Sequence, residues 1–150
     1  MFRATAAEAA TAFALIEEYY EAIGVVARDG RAALEHYLES PESPIFLVTV
    51  DGAPAGCVML RPLPQVESAL EVKRLWVRPE FRRHGLAHRL MQKAEEFAQE
   101  KGFAWLYLDT KDDLEAAIRF YLGSGYERCA RYNDNPQATL FLRKHLPRQV

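Results

Sequence analysis

This 150-residue chain has little of what staples, anchors or disorders a small protein. Two cysteines, Cys57 and Cys129, stand far apart and outside any CxxC spacing, which argues against a disulfide framework and a thiolate zinc site. They read as free thiols in a reducing compartment. No apolar run approaches the ~18 residues that span a bilayer. The opening MFRATAAEAATAF carries Glu8 where a signal peptide keeps an uninterrupted apolar core. The expectation is a cytoplasmic chain with no membrane partner. No charge of one sign dominates: 19 Lys and Arg against 21 Asp and Glu give a net charge of -2, which speaks against a surface adapted throughout to nucleic acid. Internal repeats and low-complexity stretches are absent, excluding solenoids and long disordered tails. The sequence reads as a single domain over residues 1–150. A chain of this length buries roughly 68–70% of the surface its unfolded form exposes, so its core needs no metal.

What is present is an alternation of two periods. After Thr5, with Glu8 as its capping-box partner, Ala9, Ala12, Phe13, Ile16, Tyr20 and Ile23 follow one face of a helix ending near Gly24. Residues 31–39 read as a shorter helix burying Leu34, Tyr37 and Leu38, stopped by Pro41 and Pro44. Residues 45–50 and 56–60 are β-branched or apolar runs flanking Asp51-Gly52, a hairpin turn signal. A third strand is expected over 69–77, stopped by Pro79. From Leu86 the stripe Leu90, Met91, Ala94, Phe97 and Ala98 is helical and closes at Gly102. Residues 104–108 have the near-continuous apolar character of a strand covered on both faces. Asp112 with Glu115 is the expected cap of a further helix, whose face is Leu114, Ala117, Ile118, Tyr121 and Leu122. Strands near 126–132 and 138–143 then form a terminal hairpin. This order predicts an α+β domain around a mixed sheet in which only the strands joined by the helical crossover are parallel.

The stretch richest in chemistry leads from a strand through a basic turn into a helix. Residues 73–89 hold six Lys or Arg and one acid, a local +5 that leaves -7 for the rest of the chain. The first turn of a helix offers N–H groups with no helical partner and the positive end of its dipole, and anions bind there. Gly85 and Ala87 keep side chains out of the way of an approaching pyrophosphate, and Arg82 and Arg83 add charge-assisted contacts. The three-glycine dinucleotide fingerprint and the phosphate-loop lysine motif are both absent. His84 and His88 have a zinc-compatible spacing without an HExxH arrangement or a third ligand, so no metal is expected.

The pattern Arg82-x-x-Gly85-x-Ala87 stands after Lys73-Arg-Leu-Trp-Val77-x-Pro79 and before Ala117-Ile118-Arg119-Phe120-Tyr121-x-x-x-Gly125-Tyr126. In that order the three segments resemble the central strand, acetyl-CoA loop and late helix of the GNAT superfamily of N-acetyltransferases. The likeness extends to small bacterial members through Ala55-Gly56-Cys57-Val58, Leu60-Arg61-Pro62, Leu108-Asp109-Thr110 and Tyr132-x-x-Asn135-Pro136. The resemblance implies a mostly antiparallel twisted sheet of about six to seven strands, about four helices and one splayed parallel pair. It implies acetyl-CoA as co-substrate, with the pantetheine arm along the backbone of Leu75, Trp76 and Val77. The pyrophosphate would lie on the amides of Arg83, His84, Gly85, Leu86, Ala87 and His88.

It further implies attack of a neutral amine on the acetyl thioester. Glu71 stands six residues before Val77, where histone-modifying members of the superfamily carry a general base; a pairing with Lys73 or Arg61 on an exposed face is the alternative. Tyr121 matches the tyrosine that donates to the leaving thiolate, against a packing role on its helical stripe. Leu114 stands where relatives often carry a cofactor-contacting asparagine. Tyr19, Tyr20, Arg61, Trp76 and Tyr132 are candidates to line the acceptor pocket, with Arg61 pairing a substrate carboxylate. The expected partner is an amine-bearing acceptor, with no nucleic acid, the protein being a monomer or homodimer. The competing reading is a CoA-binding module without turnover.

Overall fold

A computed structural model describes residues 1–26 and 28–147. Its elements run β1 (Phe2–Arg3), α1 (Ala9–Ile23), α2 (Arg31–Glu39), β2 (Ile45–Val50), β3 (Ala53–Pro62), β4 (Ala69–Val77), α3 (Leu86–Glu100), β5 (Trp105–Thr110), α4 (Glu115–Gly123), β6 (Glu127–Arg128) and β7 (Leu140–His145). The strands form a seven-stranded sheet in the order β1-β2-β3-β4-β5-β7-β6. β4 and β5 are its parallel pair, in register over Ala69↔Trp105, Leu70↔Leu106 and Glu71↔Tyr107. The mixed α+β architecture expected from the chain is the one observed. No helix among the described residues is long and apolar enough to cross a membrane.

The chain divides into two compact units, residues 1–61 with 72–96, and residues 62–71 with those from 97 onward. In the first unit, α1 and α2 bury Ala12, Leu15, Ile16, Tyr20 and Leu34 against Ile45, Leu47, Cys57 and Met59 of β2 and β3. Strand side chains alternate between faces, so Phe46 points the other way, and there its ring meets Lys93 of α3 at 5.7 Å. β2 and β3 are thereby covered on both sides, which explains their continuous apolar runs. Asp51 and Gly52 both take positive φ, 50° and 80°, and join Val50 to its partner Ala53 in a two-residue hairpin. Cys57 is buried in this core, its thiol donating to the Arg74 carbonyl at 3.4 Å. Burial pushes that thiol up to about 12.

In the second unit, β7 pairs antiparallel with both β5 and β6. Leu63, Ala69 and Tyr107 form a small core with Val66, Trp105, Cys129 and Tyr132 packed against it.

Several local expectations differ in detail. The two residues of β1 pair with Leu47 and Phe46, a tertiary contact with no periodicity of its own. The Thr5–Glu8 capping box is present, but it caps a 3₁₀ turn over Ala6–Glu8 that leads into α1. Asp112 does not cap α4: its N–H donates to Thr139 Oγ1 at 2.9 Å, holding it in the preceding turn, and Leu114 takes the N-cap position without a side-chain bond. The strand expected near 126–132 shrinks to Glu127–Arg128. Past it, Arg131 donates to the carbonyls of Asn133, Asn135 and Ala138, folding the backbone into turns instead of a ladder.

Candidate active site

The basic turn begins inside β4. Arg74 has φ 55° within the strand, an unusual conformation for a side chain of that size, and other groups hold it there. Its Nε donates to Tyr20 Oη at 2.8 Å and its Nη2 to Asp29 Oδ2 at 2.6 Å, with the guanidinium 5.4 Å over the Tyr20 ring. Farther along, Glu18 of α1 receives Arg78 Nη2 at 2.8 Å and Trp76 Nε1 at 3.2 Å. The Arg78 bond is the main cause that holds the Glu18 carboxyl below its ordinary value. Gly56 of β3 lies so close to the strand that a Cβ there would be 2.6 Å from the Trp76 carbonyl oxygen. This backbone approach admits glycine alone.

Pro79–Phe81 forms a 3₁₀ turn, and Arg82 folds back, donating from Nε to the Val77 carbonyl at 3.0 Å and stacking 4.8 Å over the Trp76 ring. Arg83 and Gly85 have φ 68° and 73°. The Arg89 N–H bonds the Gly85 carbonyl at 3.1 Å. The amides of Leu86, Ala87 and His88 lie ahead of that bond in the first turn of α3. Arg82, Arg83, His84 and His88 are exposed, Leu86 is buried, and a Cβ on Gly85 would meet nothing within 4 Å. The turn thus presents backbone donors and cationic side chains on an open surface, which suits a polyanion such as a pyrophosphate. Among the described residues, no group of three or more His, Cys, Asp or Glu is placed to hold a metal.

In the second unit, Glu71 is 1% exposed, so the alternative of an exposed sheet face is not what the fold provides. The Tyr132 hydroxyl donates to Glu71 Oε2 at 2.9 Å and Asn133 Nδ2 to the same oxygen at 3.1 Å. The same nitrogen donates to Asp109 Oδ2 at 2.6 Å. Burial, reinforced by the charges of Glu71 and Asp109, raises the Tyr132 phenol far above its usual range, so it stays a protonated donor. Its ring stands edge-on to Tyr107 at 5.1 Å and to Phe141 at 5.5 Å.

Tyr121 sits half-buried on α4, its ring 5.4 Å from Phe120 and edge-on to Tyr126 at 5.9 Å. Of the acceptor-pocket candidates, Tyr20 is 1% exposed and occupied with Arg74 and Asp29. Tyr19 is half-buried beside it, and Arg61 lies half-buried near the end of β3. Trp76 and Tyr132 hold Glu18 and contact Glu71, respectively. The structure therefore brings Glu71 and Tyr132 together, and adds Asn133 and Asp109; the sequence marks Asp109 only within the Leu108-Asp109-Thr110 likeness and gives neither residue a site role. The available signal was Asn133-Asp-Asn135-Pro136: Asn133 Oδ1 accepts from the Asn135 N–H and Asn135 Oδ1 from the Gln137 N–H, both at 3.1 Å, two successive turns of a kind asparagine favours.

Residues 10–126 match the acetyltransferase (GNAT) family. An uncharacterised N-acetyltransferase of Schizosaccharomyces pombe is 31% identical over 128 residues, covering 81% of this chain and 78% of that protein. The crystal structure of a GNAT-family acetyltransferase from Staphylococcus aureus Mu50 superposes with a TM-score of 0.81 at 18% identity, over 97% of this chain and 98% of that one. The PaiA N-acetyltransferase of Thermoplasma acidophilum, solved in complex with coenzyme A, gives 0.79 at 14% identity, with 96% of each chain covered. At such identities these two structures speak to the fold.

Proposed function

The chain belongs to the GNAT acetyltransferase family, and on that premise we propose that it is an acetyl-CoA-dependent transferase acting on a primary amine of a small molecule or protein. Residues 1–150 act as one catalytic domain in this reading. The observation that carries it is the β4–turn–α3 geometry, where Arg83 and Gly85 take positive φ immediately before the amides that open α3. The amides of 83–88 would hold the pyrophosphate, Arg82 and Arg83 would add charge, and the backbone of Leu75, Trp76 and Val77 would take the pantetheine arm. Acetyl-CoA supplies the activated acetyl thioester when bound.

The remaining work falls to side chains. A lysine-like amine, with pKa ~10.4, costs about 4.6 kcal/mol to hold neutral at pH 7, so a base is useful. Glu71 takes that proton, directly or through a water. Tyr121 donates a hydrogen bond or proton to the departing thiolate. A free-thiol pKa of ~8.5 lies below a tyrosine's ~10, so hydrogen-bond donation is the larger part of that contribution. A cytoplasmic location belongs to the same proposal, since both Cys57 and Cys129 are free thiols.

The test is amine-dependent release of free coenzyme A thiol across a panel of primary amines, beside thermal protection by acetyl-CoA. Protection with release on at least one amine supports the transferase. Protection without release on any amine favours a binding module, the reading that Leu114 at the α4 N-cap would suit. Absence of protection removes the β4–α3 turn as the cofactor site.

A further inference from the structure

Burying Glu71 at 1% exposure sets a desolvation cost that its hydrogen-bond donors must offset. Two such donors come from one irregular segment, residues 131–138. Asn133 is the pivot. Its Oδ1 accepts from the Asn135 N–H at 3.1 Å, which fixes the amide orientation and turns both N–H groups toward the acids. One hydrogen serves Glu71 Oε2 and the other Asp109 Oδ2, at 3.1 and 2.6 Å. Asn135 Nδ2 adds a longer contact to Asp109 Oδ2 at 3.4 Å.

The segment is braced from behind. Arg131 Nη2 donates to the Ala138 carbonyl at 3.0 Å, and its guanidinium lies 4.5 Å over the Phe141 ring. Gln65 Nε2 donates to the Tyr132 carbonyl at 3.0 Å. Tyr132 and Asn133 thus reach Glu71 from a backbone tied down on both sides.

We propose that Asn133 and Tyr132 are positioning residues that keep Glu71 an oriented carboxylate, with Asp109 anchoring the Asn133 amide between the two acids. This rests on the reading of Glu71 as the general base. Two donors on one oxygen favour the ionised form and fix the plane of the carboxylate. Without the amide, both acids lose the one donor they share, and their mutual repulsion is no longer bridged at that point. Ionisable groups placed near Glu71 include Asp109 and Tyr107 on β5 and Tyr132 from the segment, and Lys73 follows two residues later in the chain. Arg143 of β7 bonds Tyr107 Oη at 3.2 Å, and Cys129 packs in the same small core.

The experiment follows the carboxyl carbons of ¹³C-labelled glutamate by NMR through a pH titration of the full chain, without added ligand. Glu71→Gln identifies the resonance. Asn133→Leu should move the Glu71 midpoint upward from the wild-type one, and Asn133→Asp further, because each removes a donor to the charged form and the second adds a like charge. Tyr132→Phe removes a single oxygen atom and should give a smaller rise, keeping the test open if Asn133→Leu does not fold. A midpoint unmoved in the folded variants overturns the positioning role. In parallel, the acid limb of kcat/KM is measured for a primary amine that the wild type turns over. A limb that rises in step with the NMR midpoint supports both roles. A limb that stays while the NMR midpoint moves supports the positioning of Glu71 and removes Glu71 as the base.

Discussion

In the first unit, charged side chains are matched to opposite charges: Arg74 with Asp29, Arg78 with Glu18 and Arg28 with Glu21. The first joins β4 to the segment after α1, the second joins α1 to the residue just past β4, and the third ties α1 to the segment that follows it. The turn before α3 offers a ligand backbone amides and the exposed Arg82 and Arg83. In the second unit an ion pair also stands at the surface, Arg143 with Glu127, and the partners of the buried acid Glu71 include a phenol and an amide. A carboxylate beside a guanidinium is a weakened base, as the lowered Glu18 illustrates. Neutral donors orient an acid with less of that loss. On the proposed function, the first region would hold the co-substrate and the second would move protons.

The largest effect expected on that division is at Gly85. Gly85→Glu should abolish acetyl-CoA binding through its charge, whereas Gly85→Ala, which adds a methyl and no charge, should weaken binding far less and lose about 1–2 kcal/mol of stability to the positive φ. Calorimetric titration distinguishes the two, and wild-type affinity in a folded Glu variant would take the turn out of the binding region. Next is Glu71→Gln, expected to lower kcat/KM for the amine by about 10²–10⁴-fold while acetyl-CoA protection persists. Full activity with chemistry rate-limiting would dissolve the contrast.

Tyr121→Phe should cost about 10²-fold in kcat with acetyl-CoA affinity retained; a loss confined to affinity would move Tyr121 to the binding side. The smallest change is Glu18→Gln. Its pair with Arg78 is partly exposed, at 27% and 37% for the two side chains, so screening limits it to about 0.2–1 kcal/mol of stability. Because the folded Glu18 carboxyl is lowered, that contribution is present above the ordinary carboxylate value and lost as pH falls through the folded one. Thermal melts of both proteins should differ at pH 7, and the difference should shrink as pH falls through the lowered folded value of Glu18.

Much of this was readable along the chain where physics is local. The residue bounds of β4, the Asp51-Gly52 hairpin, the Gly24 C-cap and the helical stripes follow from periodicity and turn chemistry. The α4 stripe of Leu114, Ala117, Ile118 and Tyr121 is also where expected, though only half-buried, while Leu122, expected on the same face at the helix end, is 40% exposed. β1 was not legible because two residues carry no period. The α4 start was misplaced because Thr139, far along the chain, occupies the Asp112 N–H. Glu71 could be named from the family resemblance, through its place six residues before Val77, but its partners could not. Asp109 reads as a strand end and Asn133 as turn punctuation until the fold sets both against the same acid.

Cys57 has a use unrelated to catalysis. Its thiol is 1% exposed and pushed up to about 12, so a thiol-specific reagent reaches it only when β3 opens. Cys129 is half-buried and reacts sooner. With Cys129 replaced by serine, the labelling rate of Cys57 becomes a clock for transient unfolding of the first unit alone. Bound acetyl-CoA should slow that clock if the first unit is where it docks.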